Sequence, residues 1–177
     1  MRLFVAIPVP ENIRAPLLSI SSGIRGARWV RPEGMHITLF FAGEVDRVQA
    51  NDLDAELESV HMLPFELECR SLGYFERGQR IKSVWAGIES SDALIYLQDR
   101  VEAAAVRAGL ARETRKYKPH ITLARLKHGR AEDVGPWIGA HDPVLLPPFT
   151  VDAFTLYQSH LAREGAMYEP MVDYLLR

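Results

Sequence analysis

The 177-residue chain has a single cysteine, Cys69, no long apolar run and no low-complexity stretch. One cysteine excludes an internal disulfide and a cysteine-rich metal site, so a reducing, cytoplasmic setting is expected. The longest apolar run falls short of the ~18 residues that identify a transmembrane helix, so no membrane partner is expected. The opening Met1–Pro8 stretch is too short for a signal peptide and lacks a cleavage site. No glycine-rich phosphate loop is visible, which disfavours a plain doubly wound sheet. Lysine is scarce: 17 of the 21 basic residues are arginine, the side chain suited to bidentate phosphate contacts but also one that compositional bias enriches.

What is present is ordinary for a soluble globular protein, 47% apolar and 25% charged. The length fits one domain, residues 1–177, built as two lobes with an internal duplication. A net charge of −2 argues against a general nucleic-acid coat. The charge is unevenly spread. Residues 44–68 hold eight acidic residues against Arg47, and residues 107–130 hold eight basic ones against Glu113. The basic segment is a candidate for holding an extended anion, or else a solvated face.

Alternation predicts strands over 2–8, 35–41, 64–75, 81–88, 120–126, 149–159 and 168–176, with a short extended piece at Trp29-Val30. Helices are predicted from Pro10 to Ser22, interrupted by Pro16; from Asp46 to Val60, with Val48, Leu53 and Leu57 on the core face; over 93–108; and over 131–139. The order strand–helix–strand occurs twice at similar pitch. The fold class expected is α+β: two pseudo-symmetric lobes, each an antiparallel sheet with helices packed outside, around a central cleft.

Each repeat ends in the same tetrapeptide, His36-Ile37-Thr38-Leu39 and His120-Ile121-Thr122-Leu123. At average residue usage, coincidence among the histidines accounts for such a match roughly 0.3% of the time. Shared packing of duplicated core strands explains the Ile and Leu positions but not the His and Thr positions. In a strand, residues i and i+2 share a face. His36 and Thr38 thus point away from the core, as do His120 and Thr122. If the lobes face each other, two imidazoles and two hydroxyls meet in one gap. In-line displacement at phosphorus needs such a set: a base behind the attacking water, an acid beside the leaving oxygen, and donors to the non-bridging oxygens. Imidazole titrates near 6.5, so one can be neutral while the other is charged. No metal or other cofactor is required.

These paired motifs resemble those of the two-histidine (2H) phosphoesterase superfamily. The flanks resemble one branch, the RNA 2′,3′-cyclic phosphodiesterases, also called 2′-5′ RNA ligases or LigT-like proteins. The matching residues are Arg2–Ile7, Trp29–Glu33, His36–Val45, Leu72–Phe75, Val84–Ile88, Lys118–Arg125 and Phe154–Ser159, with Gly165 and Tyr168. Ala42 stands where many members carry leucine. The resemblance implies hydrolysis of an RNA 2′,3′-cyclic phosphate end to a 2′-phosphate, with reversible 2′-5′ ligation as a side activity. It implies His36 as proton donor and His120 as proton acceptor, and RNA, a nucleotide or tRNA fragments as partner; a monomer is expected. It also points to Phe41 and Arg125 as substrate-binding residues. Ideal alternation turns both toward the core, so either the strands twist or bulge there and bring them to a ligand, or these two residues are structural.

His61, His128, His141 and His160 share no pattern and are expected at surfaces or turns. Trp29, Trp85 and Trp137 are expected to pack, with Trp29 near enough to wall the cleft. A zinc site on His36 and His120 needs a third ligand that no spacing supplies. The alternative reading is a nucleotide- or RNA-end-binding module without turnover, which needs the cleft but not two proton carriers.

Overall fold

The computed structural model describes all of residues 1–177. Ten strands and four helices follow in the order β1 (Arg2–Pro8), α1 (Glu11–Ser19), β2 (Ala27–Trp29), β3 (His36–Glu44), α2 (Arg47–Leu57), β4 (Phe65–Leu67), β5 (Cys69–Arg77), β6 (Arg80–Ile88), α3 (Asp92–Arg107), β7 (His120–Gly129), α4 (Ala131–His141), β8 (Phe149–Val151), β9 (Ala153–Ala162) and β10 (Gly165–Leu175). A single 3₁₀ turn, Pro32–Gly34, leads into β3. This is the α+β architecture expected.

Every strand pairing is antiparallel. The main sheet runs β10-β9-β1-β3-β7-β6-β5, with β2 added beside β7. The first four strands form one lobe and the remainder the other. They touch as strands at one pair only, Ile37 opposite Ile121. The two strands that carry the repeated tetrapeptide therefore lie side by side at the middle of the sheet, and their motifs meet there. Tyr117 crosses the same joint, its hydroxyl donating to the Thr38 carbonyl at 2.9 Å.

The apolar faces of both lobes pack on the helices in one continuous core that includes Val5, Ile7, Ile37, Leu39, Ile121 and Leu123. Asp46 caps α2 in a reciprocal box with Gln49, and Ser91 caps α3 through the Leu94 amide. α3, which follows β6 of the second lobe, packs on β3 of the first and against α2. The hydrophobic layers are thereby shared between lobes.

The structure corrects several expectations. Val48 is exposed; the core face of α2 is Ala50, Leu53 and Leu57. The strands expected over 64–75 and 149–159 are each split, because β4 and β8 pair only with one another in a small separate sheet. Alternation continues through each split, since a strand that changes partners keeps its two-residue period. α1 ends at Ser19, with Pro16 accommodated inside it.

The expected basic face is also partly neutralised. Arg107 pairs with Glu56 of the acidic segment, Arg112 with Glu102, Arg115 with Glu113 and Arg130 with Glu132. The segments that look polarised along the chain meet in space.

Candidate active site

The site begins with a backbone irregularity that occurs twice. Between β1 and β3, Val5 pairs with Phe40 and Ala6 with Thr38, leaving Leu39 unpaired. Between β6 and β7, Val84 pairs with Ala124 and Trp85 with Thr122, leaving Leu123 unpaired. Each motif strand carries a β-bulge at its fourth motif residue. Two consecutive residues then face the core: Leu39 and Phe40 in one strand, Leu123 and Ala124 in the other, all buried. Beyond the bulge the alternation is inverted. Phe41 and Arg125, placed on the core side by ideal alternation, are turned to the same face as the histidines. Phe41 is 64% exposed, unusual for phenylalanine inside a central sheet strand.

Cross-strand rows align these residues. In the first lobe Tyr157, Phe4 and Phe41 lie opposite one another on β9, β1 and β3. The corresponding row of the second lobe is Phe75, Ser83 and Arg125, extended by Arg28 on β2. The corresponding positions differ, an aromatic ring in one lobe and a guanidinium in the other. One step on either side of the Ile37–Ile121 pair, the antiparallel register sets His36 beside Thr122 and Thr38 beside His120.

Both imidazoles are held alike. His36 Nδ1 donates to the Gly34 carbonyl at 2.7 Å, and His120 Nδ1 donates to the Lys118 carbonyl at 2.7 Å. A carbonyl can only accept, so Nδ1 carries the proton and Nε2 is the free, exchanging nitrogen in both rings. Each ring also meets an aromatic edge: Tyr168 against His36 at 5.2 Å and 88°, Phe75 against His120 at 4.8 Å and 87°. Phe4 lies 4.9 Å from His36 and Trp85 lies 6.1 Å from His120. Lys118 Nζ rests over the Trp85 ring at 4.8 Å.

Burial among these rings pushes His36 down to about 4, with the charges of Arg125 and His120 adding to the effect and the Gly34 hydrogen bond opposing it. His120 is also lowered, chiefly by burial and then by Lys118 and Arg125, against the Lys118 carbonyl. The protein's own groups therefore favour two neutral imidazoles, and Arg125 is near enough to both for its charge to reach them. An anion placed there reverses the bias, because an opposite charge stabilises the protonated ring. No group of three His, Cys, Asp or Glu side chains converges here or elsewhere as a metal site would require.

The model of the LigT-like phosphoesterase family matches residues 7–85 and 87–168. The chain belongs to this family. Among relatives of the LigT-like phosphoesterases, the RNA 2′,3′-cyclic phosphodiesterase of Thermotoga maritima is 32% identical, over 98% of this chain and 94% of the relative. That of Escherichia coli is 29% identical, over 99% and 96%. The crystal structure of TT0787 from Thermus thermophilus superposes with a TM-score of 0.85 at 28% identity, covering 100% of this chain and 98% of that one. E. coli LigT complexed with 3′-AMP superposes at 0.79 and 28% identity, covering 99% and 97%.

Within this LigT-like framework, His36, Thr38, His120, Thr122, Phe41 and Arg125 share one face around the lobe joint. His61 and His128 are exposed, His160 bonds Glu169 at 2.8 Å, and His141 packs near Trp137. The sequence reading missed Phe4, Phe75, Tyr157, Tyr168 and Tyr117 as site components. Phe4 was detectable, since it stands on the opposite face of β1 from Leu3 and Val5. Nothing local marks Phe75 or Tyr117, whose roles come from contacts across the fold.

Proposed function

We propose that the chain is a metal-independent RNA 2′,3′-cyclic phosphodiesterase that opens the cyclic phosphate to a 2′-phosphate, acting as a monomer in the cytoplasm. The observation that carries this reading is the matched pair of imidazoles, each with Nδ1 tied to a carbonyl and Nε2 free. His120 Nε2 accepts a proton from water as its oxygen bonds to phosphorus. The bond from phosphorus to the 3′ oxygen breaks on the opposite side, and His36 Nε2 donates its proton to that oxygen. The turnover leaves His36 neutral and His120 protonated, and exchange with solvent restores both. Thr38 and Thr122 donate to the non-bridging oxygens, and Arg125 balances their charge. Phe41 offers its exposed face to the terminal base.

The lowered pKa of His120 suits a base that must be neutral. The same bias on His36 is undone by the phosphodiester itself, whose negative charge raises the imidazole pKa on arrival. An RNA 5′ hydroxyl in place of water gives 2′-5′ joining by the same displacement. The names of the relatives from T. maritima and E. coli support the substrate, and the 3′-AMP complex of E. coli LigT supports a nucleotide in the cleft.

The test is incubation with RNA ending in a 2′,3′-cyclic phosphate, with chelator present, and identification of the phosphomonoester formed. A 2′-phosphate is expected. A 3′-phosphate would assign the wrong leaving oxygen, and binding without turnover would leave an RNA-end-binding module.

A further inference from the structure

Beside the catalytic cleft lies a cavity of about 620 Å³ that neither histidine lines. One wall is β2 and the 3₁₀ turn; the other is the turn joining β9 to β10. Three of its lining residues connect it to the chemistry. Gly34 holds His36 through its carbonyl, Tyr168 stands edge-on to His36, and the charge of Arg125 reaches both imidazoles. The cavity therefore opens off the position of the terminal phosphate.

Its lining is cationic in a chain of net charge −2. Arg28, Arg31, Arg125 and Arg163 face it against Glu33 and Glu164. Arg31 is spent on Glu164 at 2.9 Å, a pair that ties one wall to the other. Arg28 and Arg163 are in no ion pair, unlike Arg31 beside them in the lining. The stem of Arg28 lies across Gly165, where a Cβ would sit 3.9 Å from its Cδ. The arginine stem thus bridges the β2 wall and the β9–β10 turn. Tyr168 adds aromatic surface, while the Trp29 ring turns to the core side against Trp137. Guanidinium forks beside aromatic faces fit a phosphate linked to a base. The volume falls within the ~300–1,000 Å³ of small-ligand sites, so it accommodates a nucleotide but not a duplex.

We propose that this cavity is the subsite for the nucleoside phosphate that precedes the terminal nucleotide, so the substrate is an RNA strand rather than a free cyclic mononucleotide. This rests on the phosphodiesterase reading. Arg28 and Arg163 grip the upstream phosphodiester, and Tyr168 carries its base.

The test compares uridylyl-uridine 2′,3′-cyclic phosphate with uridine 2′,3′-cyclic phosphate, in the intact protein and in Arg28→Ala/Arg163→Ala. The intact protein is expected to favour the dinucleotide about tenfold or more in kcat/KM, the scale of one charge-assisted contact. The double variant should lose that preference and still turn over the mononucleotide within about twofold, which also reports that it is folded. Equal kcat/KM for the two substrates in the intact protein, or an equal loss on both in the variant, overturns the proposal. A free nucleotide as the occupant gives equal turnover of both substrates together with an effect of AMP that the variant lacks, and that too overturns it. If neither substrate is hydrolysed, the phosphodiesterase reading has failed, and binding decides the subsite. Dinucleotides with a 2′-phosphate end should then bind tighter than uridine 2′-phosphate, and the variant should abolish the difference. Equal binding of the two overturns the subsite as well.

Discussion

At the scale of single residues, the two imidazoles differ less in what they touch than in what they must do. Both are oriented by a carbonyl two residues earlier, and both are biased neutral by burial. Replacing either His36 or His120 by Ala should lower turnover of a cyclic-phosphate end by about 10²–10⁴-fold, measured as kcat with saturating RNA. The pH profile carries more information. His36 sits at about 4 in the free protein, and the bound phosphodiester raises it. The alkaline limb of kcat, which reports the complex, should lie at higher pH than that of kcat/KM, which reports free protein. Coincident limbs would show that substrate charge does not load the acid. Cys69 has no part in this chemistry: it is fully buried, and burial pushes its thiol up to about 12.

At the scale of elements, the decisive feature is the paired bulge. The strand positions, the cap at Asp46 and the duplicated motif were legible in the sequence because two-residue and helical periods are local. The bulges stood in the sequence only as one way for Phe41 and Arg125 to reach a ligand, yet they leave a trace. Leu39-Phe40 and Leu123-Ala124 are adjacent apolar pairs where strict alternation calls for one apolar and one polar residue. Deleting Leu39 should restore regular pairing and leave Phe41 on the histidine face, so its cost should fall on stability, through the missing core side chain, more than on activity, and Leu39→Val should show that cost only in small part; both are read from urea denaturation beside turnover. The partner change at β4 and β8 left no trace, because pairing depends on residues more than 80 positions away. A second element-scale prediction concerns Gly73. A Cβ there would lie 2.3 Å from the Trp85 ring, which itself lies beneath His120. Gly73→Ala should cost about 1–3 kcal/mol in urea denaturation by overpacking and lower kcat by displacing His120.

At the scale of the whole molecule, one strand pair and a few side chains join the lobes in front of a shared core. Tyr117→Phe removes the hydroxyl that spans the joint, and a loss of about 0.5–1.5 kcal/mol in urea denaturation is expected. The depressed pKa of His36 gives the fold a pH dependence. Below about 6.5 an unfolded chain binds a proton at this ring that the folded one refuses until about 4. Stability should therefore be complete above that window and fall as pH drops through it, and His36→Gln should flatten the slope of Tm against pH. The net charge hid the distribution that matters for binding. Half of the basic run over 107–130 is paired with carboxylates, while the unpaired guanidiniums of the cavity, Arg28 and Arg163, come from segments unremarkable in sequence. No helix is long and apolar enough to cross a membrane.

The sheet order also bears on how the protein is made. β1 lies between β3 and β9, yet β9 follows every strand of the second lobe along the chain. During synthesis β1 leaves the ribosome early and waits with an open edge while the second lobe is completed around β6 and β7. A nascent chain stalled before β9 exposes that edge, a template for pairing with a neighbouring chain. The β9–β10 hairpin is thus what closes the open edge of β1, the strand that pairs with β3 and its imidazole.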